Sequence, residues 1–215
     1  MNQKELQNLR KDYSAASLTE ETADRNPIKQ FDNWFNEAMA AKLHEPNTMT
    51  LSTATPDGRP SARIVLLKGF DNTGFMFYTN YLSRKGKEIA RNPLAAITFF
   101  WGELERQVRI EGTIEKLSKE QSDQYFHSRP VMSQLGALAS PQSQEIASRD
   151  ILEKKMAQLE AEYAGKEVPK PSYWGGYVLK PRLIEFWQGR SSRLHDRILY
   201  KKIDNNNWKR VRLAP

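Results

Sequence analysis

Apolar and polar positions along the chain change period several times, and each change marks an element. Up to Asn26 the residues are polar with little apolar periodicity, as in a segment that stays mobile until a ligand orders it. Pro27 can open a helix. Phe31, Trp34, Phe35, Ala38 and Met39 then recur at three-and-four spacing and give it one apolar face. After Pro46 the period falls to two. Met49, Leu51 and Thr53 alternate with small polar residues, Pro56-Asp57-Gly58 makes a turn, and Ala62 to Lys68 is a β-branched and aliphatic run. The Asp71-Asn72-Thr73-Gly74 loop leads into a strand from Phe75 to Tyr78, and Leu94 to Trp101 and Leu104 to Ile114 continue the series.

Helices interrupt these strands. One runs from Ser83 to Arg91 and stops before Asn92-Pro93. Ser118 with Gln121 has the spacing of a capping box and opens a second, to about His127. Pro130 to Ala139 reads as a third, and Ile151, Leu152, Met156, Leu159 and Tyr163 stripe a longer one from about Gln144 to Ala164. Strands return at Gly176 to Trp187, Arg197 to Ile203 and Trp208 to Leu213, with Asp204 to Asn207 as the last turn. The pattern predicts a mainly β chain with helices (α+β): an antiparallel meander that closes its edges as a barrel. Residues 1–26 form a mobile N-terminal segment and 27–215 a single domain.

The 215 residues include no cysteine, which excludes disulfides, thiolate metal sites and cysteine nucleophiles. His44, His127 and His195 are scattered without ligand spacing, so no metal site is expected. The eleven glycines form neither GxGxxG nor GxxxxGK[ST], and no GxSxG is present. Redox chemistry here would need an organic cofactor. No signal peptide or membrane span is apparent, and the expected compartment is the cytoplasm. The formal net charge of +7 is concentrated in residues 180–215, and a second basic cluster runs from Arg59 to Arg91. Such segments suit nucleic acid, an acidic membrane surface or small phosphorylated ligands.

Three places concentrate chemistry. Arg63-Ile64-Val65-Leu66-Leu67-Lys68 is cationic at both ends, and on a regular strand Arg63 and Lys68 would face opposite sides. Ser83-Arg84-Lys85, just after Tyr78-Thr79-Asn80, offers cations and free amides at a helix start, and Tyr125, Arg129 and Ser133 offer a second anion site. The densest feature is Glu185-Phe186-Trp187-Gln188-Gly189-Arg190, followed by Arg193-Leu194-His195-Asp196-Arg197.

In order, RIVLLK at 63–68, FYTN at 77–80, SRK at 83–85, LERQV at 104–108, YFHSRP at 125–130, WGG at 174–176, and IEFWQG with RLHDR at 184–197 resemble the pyridoxine (pyridoxamine) 5'-phosphate oxidase family over essentially the whole chain. The resemblance implies a homodimer of FMN-binding split β-barrels. The implied reaction oxidises pyridoxine or pyridoxamine 5'-phosphate to pyridoxal 5'-phosphate, with hydride transfer to FMN and reoxidation by oxygen to hydrogen peroxide. The implied FMN contacts are Arg63, Ile64, Val65, Leu66, Leu67, Lys68, Tyr78, Thr79, Arg84, Lys85, Gln107, Gln142, Ser143, Trp187 and Arg197. The implied substrate contacts are Lys68, Tyr125, Arg129 and Ser133 at the phosphate, Arg193, Leu194 and His195 near the ring, and Arg10, Lys11, Asp12 and Tyr13 from the N-terminal segment. Arg193 and His195 are the implied catalytic pair, and Arg190 receives no role. Two other readings stand beside this one: a basic barrel module gripping single-stranded nucleic acid, and a split-barrel flavoprotein with another substrate.

Overall fold

The computed structural model of the chain describes residues 2–9, 12–204 and 207–215. Arg10 and Lys11, expected at the substrate, and Asn205 and Asn206 of the expected last turn lie outside the described residues. In chain order the elements are α1 (Gln3–Asn8), α2 (Pro27–Ala40), β1 (Thr48–Ala54), β2 (Pro60–Leu66), β3 (Gly69–Asp71), β4 (Gly74–Asn80), α3 (Arg84–Arg91), β5 (Leu94–Trp101), β6 (Arg106–Lys116), α4 (Lys119–Ser128), α5 (Val131–Ala139), α6 (Asp150–Glu162), β7 (Trp174–Gln188), β8 (Asp196–Lys202) and β9 (Trp208–Arg212). The strands hydrogen-bond in the order β2-β1-β5-β6-β7-β4-β3, with β8 on β7 and β9 on β8. The pairs β3·β4, β4·β7, β7·β8 and β8·β9 are antiparallel.

The chain divides into two compact units, residues 1–50, 97–111 and 181–215 in one and 51–96 and 112–180 in the other. β7 passes from one to the other at Pro181 and changes partner there: Trp174 to Leu179 pair with β4, whereas Leu183 to Gln188 pair with β8. Proline has no amide hydrogen to give to a ladder, so it fits between the two registers. Most of β7 is buried along its length rather than alternating, as for a strand covered on both faces.

In the first unit α2 lays Phe31, Trp34 and Ala38 into the core, with Phe31 5.1 Å from Phe99 and Trp34 edge-on to Phe186 at 5.2 Å. Asn26 caps this helix by accepting the Ile28 amide, and Pro27 occupies its first turn as expected. Met39, expected on the apolar face, is instead 54% exposed. The polar N-terminal stretch is tied in part: Leu18 and Ala23 are buried, and the Leu18 amide donates to Asp196.

In the second unit Phe126, Leu135, Leu159, Val168 and Trp174 form a core shared by α4, α5, α6 and the start of β7. The capping box at Ser118 and Gln121 is present with both hydrogen bonds. α6 begins at Asp150, six residues later than the periodicity predicts. Ser143 holds a left-handed φ of 70° and the Gln144 amide turns back to the Pro141 carbonyl, so the helix starts only where Asp150 and Glu153 place acids in its first turn. Ile151, counted on its apolar stripe, is exposed.

α3 starts tightly against the chain that precedes it. A Cβ on Gly86 would lie 2.2 Å from the Tyr81 carbonyl oxygen. Gly86→Ala gains about 1 kcal/mol in helix propensity, but overpacking against unyielding backbone costs about 2–3 kcal/mol. A net loss of about 1–2 kcal/mol in urea unfolding is expected, and a stabilised variant would refute the close packing.

Candidate active site

Glu88 on α3 is the only acid between Asp71 and Glu103, and it is 6% exposed. Thr53 and Ser61 donate their hydroxyls to its Oε2, and Arg84 Nε donates to its Oε1 at 2.9 Å. The Arg63 guanidinium lies 3.4 Å from Oε2 and also donates to the Leu51 carbonyl at 3.1 Å and to Thr53 Oγ1 at 2.6 Å. These hydrogen bonds and charges outweigh burial and hold the Glu88 carboxyl down at about 2. Burial pulls the Arg63 guanidinium below its ordinary range, with Glu88 opposing. Burial, with the Arg63 charge adding to it, also lowers the Lys85 ammonium. Lys85 Nζ donates to Thr79 Oγ1 and Gln142 Oε1, both at 3.2 Å. Two guanidinium groups thus contact one carboxylate, Lys85 lies near enough to Arg63 to feel its charge, and the excess positive charge suits a dianion.

A cavity of about 660 Å³ opens beside this cluster. Ile64, Val65, Leu66, Lys68, Tyr78, Thr79, Lys85, Gln142, Tyr125, Arg129 and Ser133 line it, so most of the expected cofactor and phosphate residues of this unit converge. Arg63, Leu67, Arg84 and Ser143 do not line it: Arg63 turns to Glu88, Leu67 is 5% exposed in the core, Arg84 pairs with Glu88, and Ser143 is exposed. The strand expected over Ala62 to Lys68 ends at Leu66, so the argument from strand parity does not reach Lys68, whose amide donates to the Met76 carbonyl.

At the far wall Tyr78 and Tyr125 stack at 3.8 Å, and both lie parallel to Trp174. Arg129 lies over the Trp174 ring at 4.7 Å, and its Nη2 donates to the Ser133 carbonyl at 2.7 Å. Its Nη1 is buried with no hydrogen-bond partner among the described residues, and burial lowers the pKa of the guanidinium. A desolvated guanidinium N–H without an acceptor is costly, and a ligand oxygen would satisfy it.

In the other unit Asp12, Tyr13, Arg190, Ser192, Arg193 and His195 line a second cavity of about 490 Å³. Trp187 packs on His195 at 4.7 Å, and Tyr13 stands edge-on to both rings. The Arg190 amide donates to His195 Nδ1 at 3.1 Å, which places the proton of a neutral imidazole on Nε2. Arg193 and His195 reach one cavity through a short 3-10 turn with left-handed φ at Ser192 and Arg193, not through an extended segment. Asp196 pairs with Arg212 and lies 3.7 Å from Arg190, and among the described residues the Arg193 guanidinium has no carboxylate partner. Leu194 is 71% exposed. Arg197 is bound to Glu185 and to the Ala214 carbonyl, and the Glu185 hydrogen bond raises its pKa. Gln107 is half-buried on β6, outside this cavity.

Sequence reasoning missed Glu88, Trp174, Arg190 and Glu105. Glu88 has a local signal in its four-residue spacing from Arg84, and Trp174 and Glu105 lie in the WGG and LERQV motifs without a role being read from them.

The model of a family described as pyridoxamine 5'-phosphate oxidase matches residues 35–163. The chain belongs to this family. Residues 174–215 match the region described as the pyridoxine 5'-phosphate oxidase C-terminal dimerisation region. Relatives named pyridoxine/pyridoxamine 5'-phosphate oxidase are 56% identical over 210 residues in Trichormus variabilis, covering 98% of each chain, and 58% identical over 212 residues in Rubrobacter xylanophilus, covering 99% of this chain and 97% of that one. PhzG from Burkholderia lata, solved with tetrahydrophenazine-1-carboxylic acid, is 33% identical with a TM-score of 0.87 and covers 94% of this chain and 100% of its own. A related FMN-binding protein from Nostoc punctiforme, 18% identical with a TM-score of 0.66, covers 86% of this chain and 97% of its own and shares the fold. The expected antiparallel split-barrel class of this family is thereby met. Among the described residues no three His, Cys, Asp or Glu could hold a metal, and no helix is long and apolar enough to cross a membrane.

The depressed carboxyl of Glu88 ties stability to pH. Its contribution is complete above the ordinary value of 4.5 and is lost as pH falls toward about 2. Glu88→Gln should flatten the urea-stability profile across that window and cost about 3 kcal/mol at neutral pH. A wild-type slope in the variant would mean that other carboxylates carry the acid transition.

Proposed function

We propose that this chain is an FMN-dependent oxidase that converts pyridoxine 5'-phosphate or pyridoxamine 5'-phosphate to pyridoxal 5'-phosphate and works as a homodimer. The observation that carries the reading is Arg129, whose buried Nη1 has no hydrogen-bond partner among the described residues and which lines one cavity with Lys68, Tyr125 and Ser133. Family membership, the full-length relatives and the match of residues 174–215 to a dimerisation region support it.

The residues present fit FMN. Lys85, Thr79 and Gln142 line the cavity and would meet a phosphate monoester, while Arg63 and Arg84, paired with Glu88 outside it, would add net positive charge beside it. Ile64, Val65, Leu66, Lys68 and Tyr78, which line the cavity, would border the flavin. When bound, FMN supplies the hydride acceptor and passes the electrons to oxygen, giving hydrogen peroxide.

The chain's own side chains do the rest. Lys68, Tyr125, Arg129 and Ser133 bind the substrate phosphate through a point charge, a phenol, a planar fork and a hydroxyl. Asp12, Tyr13 and Leu194 would border the ring. Arg193 and His195 hold the 4' substituent, and His195 Nε2–H is the proton at hand because Nδ1 is occupied. Orientation of the pyridine ring should supply much of the rate.

A purified protein that is yellow and is bleached anaerobically by pyridoxine 5'-phosphate is expected. Arg193→Ala should slow that bleaching at least about tenfold, or about 1.4 kcal/mol, with FMN binding retained, and Lys85→Ala should weaken FMN binding by about 1–3 kcal/mol. Arg129→Ala should raise KM more than it lowers kcat. Wild-type bleaching in Arg193→Ala would place the chemistry elsewhere. Equal activity on unphosphorylated pyridoxine would remove the phosphate assignment. A colourless protein that binds single-stranded nucleic acid would favour the basic-module reading.

A further inference from the structure

Glu105 has no part in the chemistry proposed above, yet three unusual features meet at it. It is 4% exposed although its side chain carries a carboxyl group. Its backbone is left-handed, with φ 54° and ψ 41°, a conformation that L residues other than Asn and Asp seldom adopt without a compensating contact. Its Oε2 accepts two consecutive amides, from Ser14 at 2.8 Å and Ala15 at 2.9 Å, ninety residues away in sequence. A buried carboxylate facing paired N–H groups is a strong, directional anchor.

The anchored amides immediately follow Tyr13. The Tyr13 ring stands edge-on to Trp187 and His195, and a Cβ on Gly189 would lie 2.7 Å from Tyr13 Cγ and 3.0 Å from Glu105 Cβ. The Gly189 amide in turn donates to the Glu105 carbonyl at 2.7 Å. Arg190 continues the same line of contacts: its Nη1 donates to the Ala16 carbonyl while its amide holds His195 Nδ1.

We infer that Glu105, with the bare backbone of Gly189, is a positioning residue that seats Tyr13 against Trp187 and His195, so that the side chains facing the substrate ring depend on an anchor that does not touch it. The inference rests on the proposed oxidase reading for its kinetic consequence, whereas the seat itself can be tested without any substrate.

The experiment compares wild type, Glu105→Gln, Gly189→Ala, Tyr13→Ala and the Tyr13→Ala/Glu105→Gln double variant of the full chain. Glu105→Gln keeps the side-chain size but turns an amide NH₂ or a neutral oxygen toward the two donors. Chymotrypsin cleavage at the Tyr13–Ser14 bond, whose amide Glu105 binds, should accelerate at least about tenfold in Glu105→Gln, with circular dichroism unchanged. KM for pyridoxine 5'-phosphate should rise about fivefold or more with kcat nearly constant, and Glu105→Gln should add nothing in the Tyr13→Ala background. Gly189→Ala, which crowds the seat from the other side, should reproduce both effects and serves alone if Glu105→Gln fails to fold. Wild-type cleavage in Glu105→Gln, or in Gly189→Ala when that variant serves alone, overturns the seat, as does an equal KM effect with and without Tyr13. Faster cleavage in a protein that oxidises neither vitamer would uphold the seat and overturn the oxidase reading instead.

Discussion

Burying a carboxylate is costly unless donors surround it, and at Glu88 the donors are two hydroxyls and two guanidinium groups. That one constraint fixes much around it. It draws Arg63 inward from β2, sets Arg84 at the start of α3, and leaves Lys85 close enough to Arg63 for the two charges to repel. The cluster holds more positive charge than Glu88 neutralises. Cations already fixed by a buried acid need little reorganisation when an anion arrives, so the charge is preorganised rather than recruited.

The other unit applies the same device differently. There Glu105, Asp196, Glu185 and Glu20 are engaged with amides or arginines, and Arg197 and Arg212 are held by these acids. Arg193 lines a cavity with Asp12 and Arg190 and, among the described residues, makes no ion pair of its own. Neutralising the surrounding arginines leaves one cation to act on a ligand, and the Arg190 amide sets which imidazole nitrogen of His195 can donate. Rigid partners for every neighbour of a reacting group are what hold it within catalytic tolerance.

Local chemistry was legible in the sequence, and distant pairing was not. The Asn26-Pro27 start of α2 and the Ser118–Gln121 capping box are decided within four residues, and both are found where the sequence puts them. The start of α6 was misplaced because the left-handed turn at Ser143 has no composition signal when the residue is serine. Cavity residues such as Lys68, Tyr125, Arg129 and Ser133 were legible through motif resemblance rather than spacing. Arg63 looked like a free strand-end cation because its partner Glu88 lies 25 residues away. Arg190 was given no role because its contribution to His195 is a backbone N–H, which every residue but proline carries.

The charge excess around Glu88 is most directly tested by comparing FMN with riboflavin, which differ only in the phosphate, by quenching of flavin fluorescence at low and high salt. FMN should bind at least about a hundredfold more tightly at low salt, or about 2.8 kcal/mol, with the gap narrowing as salt screens the cluster. Equal affinity for the two flavins would contradict the assignment of Arg63, Arg84 and Lys85 to a phosphate.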